Sequence, residues 1–284
     1  MLDLRYHVAS LSAVFIALIV GILVGVGISG RGFVDKSERR NFENRITALQ
    51  SQVDELGAQK TLLSQQGEAE RNFVQDTYPV LMHNRLAGKK VALIVIGTTG
   101  GAAGDVRQAL ADAGASISIY RVVKVPVSAN AVRKALAGRP GFRKLDDVGH
   151  EVAQEWSSQG LTPISDAVSQ LLVEEQRGAA GNAVDAVAVL QGAPSPDQPT
   201  TQFVDGLFSG FAASGLPVVA AEKSDVQVSM VPVWSNHAGT STVDDVDTAS
   251  GKLALALLLG GSPDGHFGVK PAADATLPRI EPVG

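Results

Sequence analysis

The sequence predicts a protein of the α/β fold class, with a single N-terminal transmembrane helix, a coiled-coil stalk and a Rossmann-like parallel-sheet domain. Three observations predict it: an uncharged apolar run opens the chain, a heptad pattern follows, and short apolar strands then alternate with helical segments. We place the parts as follows: transmembrane anchor 1–30, coiled-coil stalk 31–85, α/β globular domain 86–261 and irregular C-terminal tail 262–284.

The apolar run from Val8 to Ile28 carries no formal charge. About 21 helical residues at 1.5 Å each reach roughly 32 Å, the thickness of the hydrocarbon core of a bilayer. A cleaved secretory signal is the alternative, because Gly27 to Ser29 resembles a cleavage site. The run is longer than a typical signal core, and Arg5 is offset by Asp3, so we predict a retained anchor.

Small residues recur every four positions along this run: Ala9, Ala13, Ala17, Gly21, Gly25 and Ser29. Lipid tails provide no hydrophobic drive between helices, so spanning helices associate where small side chains let their backbones approach. The sequence therefore predicts a homodimer whose membrane interface contains Ala13, Ala17, Gly21, Gly25 and Ser29.

The predicted stalk has apolar residues at alternating steps of four and three, with Lys60 where one core residue would fall: Phe42, Ile46, Leu49, Val53, Leu56 and Leu63. About three heptads of this kind are typical of a coiled coil. The pattern decays at Gly67 and Glu70, so we expect the coil to end before residue 75. The alternative is a single amphipathic helix folded back on the globular domain. Together with the anchor, the stalk predicts a parallel homodimer.

Charge and composition limit the partners. The net charge is −5, and the basic residues form no continuous patch beyond residues 31–45, which argues against nucleic acid. The absence of cysteine excludes disulfides, thiolate metal sites and cysteine nucleophiles. Because those basic residues follow the span, the positive-inside rule places the globular domain in the cytoplasm.

The globular domain begins with a β-α-β unit. The apolar strand 91–96 is followed by a glycine-rich loop, a helix over 106–113 and a second strand over 116–123. This order predicts a right-handed crossover in a parallel sheet with both faces covered.

The later segments repeat the same theme. We expect buried strands at 186–190 and 216–221, with a helix at 202–213 between them, and a last helix at 248–259. Residues 128–178 are expected to be helices and loops inserted between the early and late strands.

The loop GTTGGAAGD contains the candidate cofactor-binding residues Gly97, Gly100, Gly101 and Gly104. Glycines at the start of a helix let the backbone approach a phosphate group. The loop lacks the G-x-G-x-x-G spacing and the terminal Lys-Ser/Thr of nucleotide-binding loops. A tight turn from strand to helix is the alternative, and the spacing favours it.

The segment 236–267 contains nitrogen and oxygen ligands in His237, His266 and three aspartates at 244, 245 and 247. No H-E-x-x-H spacing organises them. The alternative is a helix start, with carboxylates at the positive end of the helix dipole and Thr248 as the N-cap.

Met82 and His83 are an adjacent thioether and imidazole, and two copies in a parallel dimer would present four donors. The candidate metal ligands are therefore Met82, His83, His237 and His266. The chain has no G-x-S-x-G motif, so we expect no serine hydrolase and no enzyme.

Both ends of the chain resemble one family. The opening MLDLRYHVASLSAVFIALIVGILVG and the closing STVDDVDTASGKLALALLLGGSPDGHFGVKPAADATLP are similar to the mycobacterial copper transport protein B family of actinobacteria. The resemblance implies an envelope protein in copper efflux and resistance, proposed to form an outer-membrane pore. It also implies a second account, in which relatives act with a membrane partner to regulate cell-wall hydrolysis at the septum. Both place the globular domain outside the cytoplasm, opposite to the charge rule.

The residues limit how copper is handled. Copper(I) favours thiolates and thioethers, and beyond the initiator the chain offers only Met82 and Met230. One apolar helix has no polar face for a pore, and the strands do not alternate as in a membrane barrel. Three hypotheses follow: copper homeostasis, with copper bound indirectly or by histidines; a non-catalytic dimeric scaffold; and a nucleotide sensor or enzyme built on the glycine loop.

Overall fold

The computed structural model describes residues 4–29, 36–142, 144–192 and 197–280. The chain divides into two compact units, residues 1–69 and residues 70–284. The side chain of Ser29, the last residue of the predicted membrane interface, lies outside the described residues.

The first unit contains helix α1 (Leu4–Ser29) and most of helix α2 (Lys36–Met82). In α1, the 22 residues Tyr6–Gly27 have a mean hydropathy of 2.6, so the helix is long and apolar enough to cross a membrane. The predicted N-terminal apolar helix is confirmed. Among the described residues, nothing lies within 4 Å of a Cβ built at Gly21 or Gly25.

Helix α2 continues for 47 residues, past residue 75 where we expected the coiled coil to end. Glycine has a low helix propensity, yet the helix continues without a break through Gly57 and Gly67. Its heptad residues have at least 54% of their surface exposed: Phe42, Ile46, Leu49, Val53, Leu56 and Leu63. The coiled coil stays a prediction, and these residues form the surface that it would cover.

The second unit is a mixed α/β domain whose described residues form a seven-stranded sheet of order β3-β2-β1-β4-β5-β6-β7. The strands are β1 (Lys90–Ile96), β2 (Ser116–Val123), β3 (Val173–Arg177), β4 (Ala186–Gln191), β5 (Val218–Ala221), β6 (Thr240–Val243) and β7 (His266–Phe267). The helices are α3 (Ala102–Asp112), α4 (Ala129–Ala135), α5 (Leu145–Ser157), α6 (Pro163–Leu172), α7 (Gln198–Ala213), α8 (Val231–Trp234) and α9 (Ala249–Leu259).

All neighbouring strands are parallel except β3, which pairs antiparallel with β2. The predicted parallel sheet is confirmed, and β2 has the predicted bounds. The expectation that residues 128–178 contain no strand was wrong, because β3 closes this segment. Its sequence VEEQR has one buried residue, Val173, and an edge strand held by backbone hydrogen bonds needs no apolar pattern. Strand β7 lies in the tail that we expected to be mostly irregular.

The central strands β1 and β4 are almost entirely buried because helices cover both faces of the sheet. On one face, Ile94 and Val189 pack with Trp156 of α5 and Phe203 of α7. On the other, alternate residues of the same strands pack against α3, α9 and the end of α2, where Met82 is fully buried. This three-layer arrangement explains the continuous apolar runs VALIVI and AVAVLQ.

Helices α5 and α7 approach each other at three glycines. A side chain at Gly149, Gly206 or Gly210 would collide with the carbonyl oxygen of Phe203, Asp146 or His150, respectively. The two backbones are therefore in direct contact, as in close helix packing through small residues. This contact fixes α7, which carries four of the nine residues that line the cavity described next.

Candidate functional site

Several buried polar residues lie at the carboxyl ends of the parallel strands. Gln191 ends β4, Glu222 follows β5, and Asp244 follows β6. Ligand sites in open α/β sheets lie at this edge, outside the carboxyl ends of the strands. Two distinct polar regions occur here, which we call the carboxylate cluster and the β4 cavity.

The carboxylate cluster contains Glu222, Asp244, Asp245, Asp247 and Lys270. Lys270 Nζ donates to Glu222 Oε1 at 2.6 Å, and the Ser229 hydroxyl donates to the same oxygen at 2.6 Å. The other oxygen of Glu222 accepts from the backbone N–H of Met230 at 2.7 Å. Glu222 thus joins the C-terminal tail, through Lys270, to the loop after β5.

The aspartates of this cluster are also bound by the chain. Asp244 accepts the backbone N–H groups of Val269 and Lys270 at 2.8 and 3.2 Å. Burial acts to raise the pKa of Asp247, but the N–H and hydroxyl of Ser224 outweigh it, so this pKa is lowered. The oxygens of Glu222, Asp244 and Asp247 are therefore already engaged in holding loops together. Asp245 Oδ1 differs, because it is buried with no hydrogen-bond partner among the described residues.

Asp245 lies at the start of α9 and is fully buried. Burial raises its pKa, although the hydroxyls of Thr248 and Ser250 donate to one of its oxygens. Thr248 is the N-cap of α9, and its hydroxyl oxygen accepts the N–H of Gly251 at 3.0 Å. The predicted helix start with Thr248 as its cap is confirmed.

The β4 cavity has a volume of about 120 Å³ and lies between the end of β4, helix α7 and helix α8. Its walls are Gln191, Thr201, Val204, Asp205, Phe208, Met230, Val233, Trp234 and His237. It combines an apolar lining with a few polar groups, as small-molecule and ion sites do.

His237 is held rigidly at this cavity. Its ring stacks on Phe208 with centroids 4.8 Å apart and planes 9° apart, and its Nε2 lies 3.5 Å from Asp205 Oδ1. Burial lowers the pKa of His237, and the nearby Asp205 only partly opposes this effect. The imidazole is therefore neutral at neutral pH, with one ring nitrogen able to bind a metal ion.

Met230 is the N-cap residue of α8 and has 2% of its surface exposed. Its backbone is fixed by Glu222, and its side chain lines the same cavity as His237. Met230 and His237 thus line one cavity. His237 was predicted as a candidate ligand, whereas Met230 and Asp205 were not predicted as its neighbours. Helix α8 ends at Trp234, so no helical period joins Met230 to His237, and the sequence carried no local signal for this pair.

The other predicted metal ligands lie elsewhere. Met82 is buried in the apolar core, whereas the adjacent His83 is exposed and contacts the side-chain amide of Asn84 at 3.0 Å. His266 Nδ1 lies 3.0 Å from the Thr242 hydroxyl. Within the part of the chain that the structure describes, no three His, Asp or Glu side chains come together in a metal-binding group.

The glycine loop forms a tight turn. Gly97, Gly100 and Gly101 have positive φ angles of 67°, 55° and 93°, which explains glycine at these positions. Gly104 lies inside α3 and has no such requirement. The positive φ angles account for three of the four glycines without a ligand, and phosphate binding stays a prediction.

A larger groove of about 690 Å³ adjoins this region between α5 and α7. Its lining includes four acidic side chains and one histidine: Asp146, Asp147, Glu151, Asp205 and His150. Asp205 lines both the groove and the β4 cavity. Grouped carboxylates raise the local concentration of cations, so the groove forms an acidic approach to the cavity.

Comparison with known proteins agrees with the resemblance seen in the sequence. The family described as "Copper transport outer membrane protein, MctB" matches residues 1–278. The chain belongs to this family. The Copper transporter MctB of Mycobacterium tuberculosis (strain H37Rv) is 25% identical over 311 residues, which cover 94% of this chain and 96% of the relative. The Copper transporter MctB of Mycobacterium bovis matches with the same identity and coverage. These relatives are named as transporters and not as enzymes.

Proposed function

We propose that this protein is a membrane-anchored homodimer of the cell envelope that contributes to copper efflux and homeostasis, with its α/β domain on the extracytoplasmic side. Family membership over nearly the whole chain supports the copper role. The observation that carries it to particular residues is the β4 cavity, where Met230 and His237 are brought together beside Asp205. Copper ions are the cargo in this proposal.

The copper role is tested in a host strain that lacks its own copy of the gene. Cells complemented with the full chain are compared with uncomplemented cells after copper exposure, and total cell copper is measured by mass spectrometry. We expect less copper in complemented cells. Equal copper contents at equal growth would contradict the proposal. Zinc content serves as the control, because an intact envelope would leave it unchanged.

The anchor and the orientation are tested together. Reporter fusions at each terminus distinguish the two sides of the membrane, and we expect the C-terminal fusion to be active on the extracytoplasmic side. This is opposite to the positive-inside expectation, which cations after the span such as Arg39, Arg40 and Arg45 support. A fusion active only in the cytoplasm would contradict the proposed localisation.

Dimerisation is supported by two exposed surfaces of the first unit. The apolar heptad side chains of α2 are more than half exposed, and a Cβ at Gly21 or Gly25 of α1 would meet open space among the described residues. We expect Leu49→Glu combined with Leu56→Glu to shift the full chain from dimer to monomer in detergent. Gln59→Glu, an equally exposed charge change beside the seam, is the matched control. A monomeric unsubstituted chain would contradict the proposal.

A second candidate function is a non-catalytic scaffold that regulates cell-wall hydrolysis at the septum through a membrane partner. It is favoured by the same exposed heptad residues, since a helix of another protein would cover them equally well. Crosslinking in cells from a photoreactive residue at position 49 separates the two candidates. A crosslink to a second copy supports the homodimer, and a crosslink to another envelope protein supports the scaffold.

A further inference from the structure

We propose that Met230 and His237 bind one copper(I) ion in the β4 cavity, through the thioether sulfur and one imidazole nitrogen, with Asp205 balancing its charge. The inference rests on the proposed copper function and names the site where the ion is held. It is carried by three observations: Met230 and His237 line one cavity, the His237 ring is stacked on Phe208, and an acidic groove adjoins the cavity.

The donor set selects the oxidation state. Copper(I) is a soft ion that prefers thioether and imidazole ligands, whereas zinc and copper(II) prefer sites rich in nitrogen and oxygen ligands. No group of three His, Asp or Glu side chains occurs among the described residues, so a site of that second kind is not formed there. Copper(I) accepts a small number of ligands, and one sulfur with one nitrogen meets that requirement.

Neighbouring groups hold Met230 and His237 in position. Stacking on Phe208 and the approach of Asp205 limit rotation of the His237 ring. The hydrogen bond from the Met230 N–H to Glu222 fixes the backbone that carries the thioether. A thioether in an apolar wall gains nothing from water, so binding copper(I) there costs little desolvation of the sulfur.

The acidic groove gives the ion a path. Asp146, Asp147 and Glu151 line the groove, and Asp205 lies where the groove and the cavity share a wall. A cation attracted to the groove therefore meets Asp205 beside His237. Once bound, the single positive charge of copper(I) faces one carboxylate, so the cavity holds no net charge.

The first test measures the copper(I) affinity of the full chain in detergent. The protein competes for copper(I) with a chromophoric chelator, and oxygen is excluded from the solution. We expect one equivalent to bind. Met230→Leu, which conserves side-chain volume, and His237→Gln should each weaken binding by more than about tenfold, because each removes a direct ligand. The controls Met82→Leu and His83→Gln remove the same residue types outside the cavity and should leave the affinity unchanged.

The second test does not depend on a loss of affinity. The chain has three methionines, Met1, Met82 and Met230, so labelling of methionine methyl groups gives three NMR signals. Silver(I), a redox-stable substitute for copper(I), should shift the signal of Met230 and leave that of the core residue Met82 unchanged. The Met82→Leu and Met230→Leu variants assign the signals.

The outcomes separate this inference from the proposed function. An unshifted Met230 signal, or equal affinity in Met230→Leu and Met82→Leu, would overturn the site. If the protein lowers cell copper but the Met230 signal stays unshifted, the function is retained and this site is rejected. A shifted Met230 signal with no change in cell copper would retain the site and reject the function.

Discussion

The carboxylate cluster and the β4 cavity lie at the same edge of the sheet, yet the fold uses their polar atoms differently. In the cluster, Glu222, Asp244 and Asp247 accept hydrogen bonds from backbone and side-chain groups of the chain. In the cavity, His237 and Met230 lie among apolar side chains with one half-exposed carboxylate beside them. The comparison teaches that a dense group of acids can be structural, whereas a sparse group of side chains that lines a cavity is the better candidate for binding.

The largest effect is expected for Glu222→Ala, because it removes the partner of the largely buried Lys270 and an acceptor for Met230. Breaking a buried ion pair by removing one partner costs about 3–5 kcal/mol. Chemical denaturation of the full chain, followed by the fluorescence of Trp156 and Trp234, measures this loss.

The matched control for that experiment is Glu175→Ala, which breaks the exposed pair with Arg177. An exposed pair contributes at most about 1 kcal/mol, so the control should unfold close to the unsubstituted chain. Equal losses in the two variants would show that the cluster is not the structural region of this edge.

The next largest effect concerns the contact between α5 and α7, beside the acidic groove. Gly206→Ala would place a methyl group against the backbone of Asp146 and push α7 away from α5, with an expected loss of about 1–3 kcal/mol in unfolding free energy. Gly104→Ala is the control, because its Cβ would meet open space within α3 and should stabilise the chain by about 0.5–1 kcal/mol. Thermal unfolding of both variants measures the contrast, which the same sign of change in both would contradict.

Two neighbouring aspartates should respond to pH with opposite signs. The raised pKa of Asp245 means that the folded state binds more protons, so its contribution falls as pH rises above the usual range of a carboxyl group. Because the pKa of Asp247 is lowered, its ionised form stabilises the fold above that range. This contribution is lost as the pH falls through the pKa of the folded state. Unfolding at pH 4 and pH 7 distinguishes these signs.

Substituting each aspartate separately shows which of the two causes each change of stability with pH. Asp247→Asn should cost about 1 kcal/mol at pH 7, because one acceptor for Ser224 is lost. Asp245→Asn should reduce the decline in stability with rising pH, since it removes a buried charge. A larger loss at pH 7 for Asp245→Asn than for Asp247→Asn would contradict this assignment.

The smallest effect is a shift in the titration of His237. Burial lowers its pKa, so the fold is less stable once pH falls below the usual value of about 6.5. Asp205→Asn removes the charge that partly opposes burial and should lower this pKa further. NMR titration of the imidazole measures both values. A pKa that rises in Asp205→Asn would show that Asp205 does not face His237.

Much of the fold could be predicted because its signals are local. Continuous apolar strands and glycine turns identified β1, β2, β4 and β5, and the cap at Thr248 identified the start of α9. Strand β3 could not be found in the same way, because VEEQR gains its pairing from the backbone of β2 and carries one buried side chain.

The candidate site depended on long-range packing, and so the sequence alone could name only part of it. His237 was recognisable as a ligand type, but Asp205 comes from α7 and meets it only after α7 packs on α5. The adjacent pair Met82 and His83 illustrates the same limit, since the sequence does not show that one of these neighbours faces the core and the other is exposed. Soft ligands in one cavity were visible only after folding.

The most direct test of the central claim is X-ray absorption at the copper edge of the copper(I)-loaded full chain. The account predicts one sulfur neighbour together with nitrogen or oxygen neighbours, and loss of the sulfur in Met230→Leu but not in Met82→Leu. A copper environment of nitrogen and oxygen alone, or a sulfur neighbour that persists in Met230→Leu, would contradict it.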